Sequence, residues 1–330
     1  MGQTKSKKSV SPGLHVQWES DYDSTWEEED ERPRKKKKNQ INLRDPRSIA
    51  ARDLQMYRHG YPQYIRLPML YLPIPEVRAK EQSSLVNCFA VDNHEEIHYS
   101  IPRHTPNLDF YQNKKPFKPN GVYIEELLSD WKFDYEKLER NHSYIQWLFP
   151  LREPGRNSSA TPLTMDEIQM MRKDREVVRR FLNAYKLMLG FYGIELQDSD
   201  TGKLQKAKNW KERFHNLNNH SHNNLRITRI LKCLGEMGYD HFQAPLVRFF
   251  LEWTLRDNYL PNVKRSVLDY FMFTVKNKQE RRELVQFANE NYKSHEPFIW
   301  GPEKKLSIYS SEKRTKNEER PTSRKKTDRR

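Results

Sequence analysis

The segment from His142 to Pro154, HSYIQWLFPLREP, constrains the fold more than any other stretch of this chain. Its apolar side chains are so closely spaced that leaving them in water would expose a large aromatic patch. They do not alternate with polar residues as a half-buried strand would. The segment therefore has to lie in a core, and its apolar residues are Tyr144, Ile145, Trp147, Leu148, Phe149 and Leu151.

Residues upstream of this segment predict that it is the end of a helix. Apolar and aromatic positions recur at spacings of three and four, which places them on one helix face. They are Tyr135, Leu138, His142, Ile145 and Phe149. Asp134 stands where an N-cap belongs, and Pro150 cannot extend a helix interior. The pattern predicts a core helix from 135 to 149 and then a rigid turn that carries Arg152 and Glu153.

Other periodic segments predict an all-α fold for residues 105–302. Thr164 to Glu167 form a capping box that opens a long helix, and Gly193 is suited to the position just after its end. Residues 245–256 are apolar on nearly every side, as in a central helix. The further predicted helices span 122–131, 203–216, 224–237, 262–275 and 278–292. We expect one multi-helix globular domain.

The regions outside this domain differ from it in composition. The chain has 330 residues, of which 32% are charged, so it is too polar to be one packed core throughout. Residues 1–48 carry an acidic and a basic block and are predicted to be a disordered tail. Residues 49–104, with a short helix at 49–58, read as an extended connector. Residues 303–330 are predicted to be a disordered basic tail.

Cysteine content and charge limit the compartment and the class of partner. With only two cysteines there is no disulfide framework, which favours a reducing compartment. Neither a secretory signal nor a transmembrane span is expected. The net charge of +14 attracts polyanions, nucleic acid included. Arg226, Arg229 and Lys232 are expected on one helix face opposite the apolar stripe, either tracking phosphates or simply solvated.

Several ordered words in the chain resemble the opioid growth factor receptor family. They are HSYIQWLFPLREP, TPNLDFY, LMLGFYGI, SHNNLRITRILK, HFQAPLVRFFLEWTL, DYFMF and WGP. The resemblance covers 105–302 and implies a non-classical receptor for methionine-enkephalin that restrains cell proliferation. It also implies a nuclear and perinuclear location. The alternative is a nucleic-acid-binding or scaffold module that acts through the basic helix face and the tails.

A methionine-enkephalin site requires an acid, a base and an aromatic-lined pocket, because the peptide carries an amine, a carboxylate and aromatic side chains. The turn after the predicted core helix offers all three. Tyr144, Trp147 and Phe149 are the candidate walls, Glu153 the partner of the amine and Arg152 the partner of the carboxylate. The other reading is that the rings are core and that Arg152 and Glu153 bond to the turn.

The tails carry candidate targeting signals. Two basic clusters are candidate nuclear localisation signals that an import receptor would bind. They comprise Arg34, Lys35, Lys36, Lys37 and Lys38, and then Arg324, Lys325 and Lys326. Gly2 with Ser6 fits a myristoylation pattern, which would add a peripheral membrane association beside nearby lysines.

Catalytic and metal-binding motifs give little support to an enzyme. His94 to His98 spell H-E-x-x-H, but this word makes zinc chemistry only on a helix, and Pro102 follows closely. His215, His220 and His222 lack interleaved carboxylates, which favours local hydrogen bonding over a metal. No phosphate loop, nucleophile motif or cofactor fingerprint is found, so we expect neither catalysis nor a cofactor.

Overall fold

A computed structural model of the chain describes residues 24–26, 46–61 and 105–308. Within these ranges the fold is helical, which confirms the predicted all-α class. The α-helices are α1 (Pro46–Arg58), α2 (Pro106–Tyr111), α3 (Ile124–Asp130), α4 (Tyr135–Arg140), α5 (Ile145–Leu148), α6 (Met165–Lys173), α7 (Arg175–Phe191), α8 (Trp210–Asn219), α9 (His222–Glu236), α10 (Gln243–Leu251), α11 (Lys264–Ser266), α12 (Met272–Thr274) and α13 (Lys278–Asn291). Short 3₁₀ turns span Ser24–Trp26 and Asp240–Phe242, and π-helical turns span Glu252–Arg256 and Val267–Phe271.

A small antiparallel hairpin interrupts the helices between α7 and α8. Its strands are β1 (Ile194–Leu196) and β2 (Leu204–Lys206), with Glu195 opposite Gln205. Gly193, with φ of 77°, ends α7 as predicted. The helix predicted from 203 to 216 was therefore placed too early, because residues 204–206 pair with β1 before the chain turns into α8.

The predicted core helix from 135 to 149 is in fact two short helices. Asp134 caps α4 as expected, since its carboxylate accepts the Lys137 N–H at 2.9 Å. The break follows because Arg226 of α9 donates to the carbonyls of Leu138, Glu139 and Asn141 at 2.9, 3.2 and 2.9 Å. The last carbonyls of a helix have no donor within the helix, and here a buried guanidinium donates to them.

The long helix predicted to start at the capping box also divides in two. Thr164 and Glu167 form the box at the start of α6, as predicted. Asp174 then leaves the helical conformation and accepts hydrogen bonds from the backbone N–H groups of Glu176 and Val177, which starts α7. A side chain suited to capping thus ended one helix and began the next.

The core lies around α7, α9 and α10. Val247, Phe250 and Leu251 of α10 have no exposed surface, which agrees with its prediction as a central helix. Among the described helices, none is long and apolar enough to cross a membrane.

The described residues extend beyond 105–302. The helix expected at 49–58 is α1, and its Leu54 and Tyr57 are fully buried against the domain. Thr25 and Trp26 are buried as well, and Arg282 of α13 donates to the Thr25 carbonyl at 2.8 Å. Residues 303–308 are helical and bury Leu306. The rest of the predicted tails and connector lies outside the described residues.

Candidate functional site

The three aromatic residues predicted to line a peptide pocket are buried in this conformation. Tyr144 and Phe149 have no exposed surface, and Trp147 is 4% exposed. The Trp147 indole N–H donates to the Lys118 carbonyl at 2.9 Å, and the Tyr144 hydroxyl donates to the Leu138 carbonyl at 3.0 Å. These rings therefore support the following turn from the core side, and the side chains of Arg152 and Glu153 remain 18% and 27% exposed.

Arg152 connects the turn to two other elements. Its guanidinium pairs with Glu236 at the end of α9, with 2.6 Å from Nε to Oε2 and 3.2 Å from a terminal nitrogen to Oε1. It also donates to the Gly60 carbonyl at 2.9 Å and lies 4.9 Å from the centre of the Tyr61 ring. Because the Glu236 side chain is only 2% exposed, its carboxylate depends on this partner.

Glu153 lies at the centre of a second set of polar contacts. The Lys232 ammonium is 2.7 Å from both of its carboxylate oxygens, and the Tyr61 hydroxyl donates to Oε2 at 2.9 Å. Lys232 also contacts Asp53 of α1 at 3.1 Å and is itself only 2% exposed. The turn, α9 and the segment 53–61 are thus joined by one network of charged groups.

Burial changes the pKa values of the groups that the segment 53–61 brings to this network. Partial burial raises the pKa of Asp53, whose side chain is 45% exposed; the charge of Lys232 opposes that rise, and the charge of Glu153 adds to it. Burial together with the nearby Glu153 carboxylate raises the pKa of the Tyr61 phenol. Tyr61 therefore stays neutral and acts as a hydrogen-bond donor to Glu153.

A glycine in α9 makes the close approach of α1 sterically feasible. A Cβ atom on Gly235 would lie 2.0 Å from the Tyr57 hydroxyl oxygen and 2.8 Å from Nε2 of Gln243. The Gln243 amide donates to the Tyr57 hydroxyl at 3.0 Å and to the Thr274 carbonyl at 3.0 Å. The Lys276 ammonium donates to the Gly235 carbonyl at 2.5 Å. Tyr57 is thus the anchor of α1 on the domain.

The prediction of a solvent-facing basic surface on α9 is wrong. Arg226 and Lys232 are 4% and 2% exposed. Arg229 donates to the Phe149 carbonyl at 3.1 Å, and burial lowers its pKa. These cations are hydrogen-bonded to carbonyls or paired with carboxylates of the chain itself, so this face does not present a row of free cations to phosphates.

Two of the three histidines on and beside α9 make the local contacts that the sequence favoured: His215 Nε2 lies 3.1 Å from the Asn219 amide, and His220 contacts the Asn216 carbonyl at 2.9 Å. His222 instead lies 2.5 Å from the Glu139 carboxylate of α4. Over residues 24–26, 46–61 and 105–308, no group of three or more candidate ligands is arranged to hold a metal ion. The H-E-x-x-H word, Gly2, and the basic clusters 34–38 and 324–326 lie outside the described residues.

Sequence reasoning missed the residues that complete the network: Asp53, Tyr61, Lys232 as an ion-pair partner, and Glu236. One signal was available, because Lys232 and Glu236 lie four residues apart on a helix that also contains Gly235. A glycine inside an amphipathic helix often marks close approach of another chain segment. The glycine could not indicate which segment of the chain approaches α9.

Comparison with known proteins identifies the family of this chain. The conserved region of the opioid growth factor receptor matches residues 100–307. The chain belongs to the opioid growth factor receptor family. It is 59% identical over 200 residues to the opioid growth factor receptor of Mus musculus, which covers 61% of this chain and 32% of that protein. It is 48% identical over 282 residues to opioid growth factor receptor-like protein 1 of Rattus norvegicus, which covers 85% of this chain and 53% of that protein.

The human opioid growth factor receptor gives a similar result, with 57% identity over 202 residues that cover 61% of this chain and 30% of the receptor. The chain thus spans about a third of the length of the receptors and about half that of the receptor-like protein. No solved structure matches the chain. The family takes its name from a receptor.

Proposed function

We propose that this chain is a receptor or receptor-like protein for an opioid pentapeptide, methionine-enkephalin, and that it acts in the regulation of cell proliferation. Family membership supports the receptor class, and the names of the relatives supply the ligand class. We expect a binding protein without catalytic activity. Binding through the Arg152–Glu153 turn, as predicted from the sequence, remains our proposal for the site.

One observation carries this proposal: the turn already holds a tyrosine side chain from a separate segment. The Tyr61 phenol donates to Glu153, and its ring lies under the Arg152 guanidinium. Tyr61 adopts a φ of 52°, a left-handed backbone conformation that bulky residues rarely take. Its contacts therefore offset a backbone cost, and a free peptide tyrosine could make them without that cost.

Methionine-enkephalin would bind by displacing Tyr61. Its tyrosine would take the place of the Tyr61 ring, its amine would pair with Glu153, and its carboxylate would pair with Arg152. Tyr144, Trp147 and Phe149 would hold the turn rigid from the core side, which lowers the ordering cost of binding.

The test is calorimetric titration of methionine-enkephalin into the full chain and into Tyr61→Ala. Removing the intramolecular competitor should tighten binding by about tenfold, the size expected when a hydrogen bond to a charged group no longer competes. Glu153→Gln in the Tyr61→Ala background should reverse that gain, because the amine loses its charged partner.

Tyr123→Ala is the matched control, since Tyr123 is an exposed tyrosine outside the network. The affinity of this variant for the peptide should equal that of the unaltered chain. Arg152→Ala is avoided because it would leave the buried Glu236 carboxylate without its partner. Equal affinity of Tyr61→Ala and the unaltered chain, or no binding to either, would reject the site.

We further propose that the chain resides in the nucleus and perinuclear cytoplasm, with import through residues 34–38 and 324–326. Replacing both clusters with alanine should leave the protein cytoplasmic, whereas replacing Lys114 and Lys115 of the domain should not. Gly2→Ala should remove any fraction that sediments with membranes, because a single acyl chain with nearby lysines is a reversible anchor. Unchanged nuclear accumulation of the cluster variant would contradict the import proposal.

A further inference from the structure

Three aromatic side chains form an open-sided cage on a different part of the surface. Trp210 begins α8, Trp253 lies in the π-helical turn after α10, and Tyr259 lies in the loop that follows. The ring centres are 6.0 Å apart for Trp210 and Trp253, 5.2 Å for Trp210 and Tyr259, and 5.7 Å for Trp253 and Tyr259. The Tyr259 ring is nearly perpendicular to the Trp210 ring, at 85°.

The cage is occupied by a lysine of the chain itself. The Lys206 ammonium, at the end of β2, lies 4.1 Å from the centre of the Trp210 ring and 4.4 Å from that of Trp253. Within the part of the chain that the structure describes, the two rings are the contacts we find for this ammonium, and no carboxylate pairs with it. A cation over aromatic faces is stabilised by their quadrupoles.

This environment suits a quaternary ammonium better than a primary one. A primary ammonium has three N–H donors that the rings leave without strong acceptors, so placing it in the cage costs part of its hydration. A trimethylated ammonium has no N–H group, keeps its charge and adds apolar surface against the rings. Recognition of methylated lysine and choline groups by aromatic cages follows this chemistry.

We propose that Trp210, Trp253 and Tyr259 form a binding site for a quaternary ammonium group on a flexible chain, such as trimethyllysine in a peptide, and that Lys206 occupies the site until the ligand displaces it. This site is independent of the Arg152–Glu153 turn.

The walls of the cage are held in place, whereas its occupant can move. The Leu260 N–H donates to the Trp253 carbonyl at 3.0 Å, and the Asn218 amide donates to the Tyr259 carbonyl at 2.8 Å. These contacts fix the loop between two of the rings. Lys206, in contrast, is an exposed side chain in the second strand of a two-stranded hairpin. A preorganised cage with a detachable occupant lowers the cost of binding.

The experiment titrates a trimethyllysine peptide and the same peptide with unmodified lysine into the full chain, with binding followed by calorimetry. The trimethylated peptide should bind and the unmodified one should bind at least about fivefold more weakly. Lys206→Ala should tighten trimethyllysine binding by about two- to fivefold, because its own cation no longer competes. Lys211→Ala is the matched control, since this lysine lies 5.9 Å from the same Trp210 ring but not between the two indoles.

Tyr259→Ala tests the cage without risk to the core, because this ring is 54% exposed. It should weaken binding several-fold, whereas Phe133→Ala, at an exposed ring elsewhere, should not. Phosphocholine vesicles separate the two natural sources of the group: binding to vesicles but not to the peptide assigns a lipid headgroup to the same cage. Absence of binding to both in Lys206→Ala, or equal affinity for modified and unmodified peptide, would overturn the proposal.

Discussion

The two ends of α9 use basic side chains in opposite ways. Near its start, Arg226 donates to three backbone carbonyls around the end of α4. Near its end, Lys232 pairs with the side chains of Glu153 and Asp53, and Glu236 pairs with Arg152. The three charged residues Arg226, Lys232 and Glu236 all lie on α9. Only those near its end pair with side chains of a turn and of a short separate segment.

The type of acceptor determines what each end can do. Backbone carbonyls are fixed by the path of the chain, so the contacts of Arg226 break only when the region around α4 and α5 unfolds. Carboxylates and a phenol on a short segment can be exchanged for those of a ligand while the rest of the fold stays intact. We therefore propose that the Arg226 end serves architecture and that the Lys232 end serves binding.

Removing the guanidinium at the architectural end should have the largest effect on stability. Arg226→Met keeps the length of the aliphatic stem but removes the donor from the carbonyls of Glu139 and Asn141, and it leaves the Leu138 carbonyl with the Tyr144 hydroxyl as its donor. We expect the free energy of unfolding to fall by about 3–5 kcal/mol in urea denaturation. Arg140→Met, at an exposed residue paired within its own helix, should cost less than about 0.5 kcal/mol. A loss below about 1 kcal/mol for Arg226→Met would show that the break between α4 and α5 needs no cap.

Removing the cation at the binding end should cost less overall and act more locally. Lys232→Met leaves Glu153 and Asp53 facing each other without a cation, and we expect a loss of about 2–3 kcal/mol in the free energy of unfolding. Amide hydrogen exchange should accelerate mainly in residues 50–61. The double variant Lys232→Met with Glu153→Gln should recover part of the loss. Equal acceleration throughout α4 and α5 would remove the distinction between the two ends.

A smaller change can detach α1 without altering any charge. Gly235→Ala places a methyl group against the Tyr57 hydroxyl, so we expect α1 to loosen and a loss of about 1–2 kcal/mol in the free energy of unfolding. Gly190→Ala is the control, because nothing lies within 4 Å of its added Cβ in α7. That variant should gain about 0.5–1 kcal/mol from helix propensity. Protease cleavage within 46–61 would report the loosening, and unchanged cleavage in Gly235→Ala would argue against close docking.

Local signals in the sequence predicted much of the fold. The capping box at Thr164, the cap at Asp134, the positive φ of Gly193 and the apolar helix at α10 are consequences of a few neighbouring residues, and each is present. The breaks at Asn141 and Asp174 were missed, because continuous apolar spacing concealed them. The first break depends on Arg226, which lies 88 residues beyond Leu138 and cannot be read from local spacing.

Local sequence signals also predicted only part of the candidate site. The turn with Arg152 and Glu153 was recognised from a local run of residues, but its partners come from α9 and from a segment that the sequence pattern assigned to a connector. Tyr61 is 92 residues from Glu153, and Asp53 is 179 residues from Lys232. Patterning also placed Arg226 and Lys232 on a polar face, because charge alone does not show that carbonyls and carboxylates will bury them.

The smallest expected effect on the docking of α1 comes from Asp53. Its contact with Lys232 suggests a stabilising ion pair, but its raised pKa indicates that the folded state disfavours the charged carboxylate. A carboxyl group with a raised pKa holds its proton more tightly in the folded state, so stability falls as the pH rises from the ordinary value of 3.8 through the raised value. At neutral pH, Asp53→Asn should therefore leave α1 docked equally or slightly more tightly, with slower hydrogen exchange in residues 50–61. The difference should shrink as the pH is lowered through that window, whereas Asp200→Asn, at an exposed position, should show no difference at any pH. Faster exchange in Asp53→Asn at neutral pH would mean that the charge of Lys232 outweighs burial, and that Asp53 belongs with Glu153 among the groups that hold α1 in place.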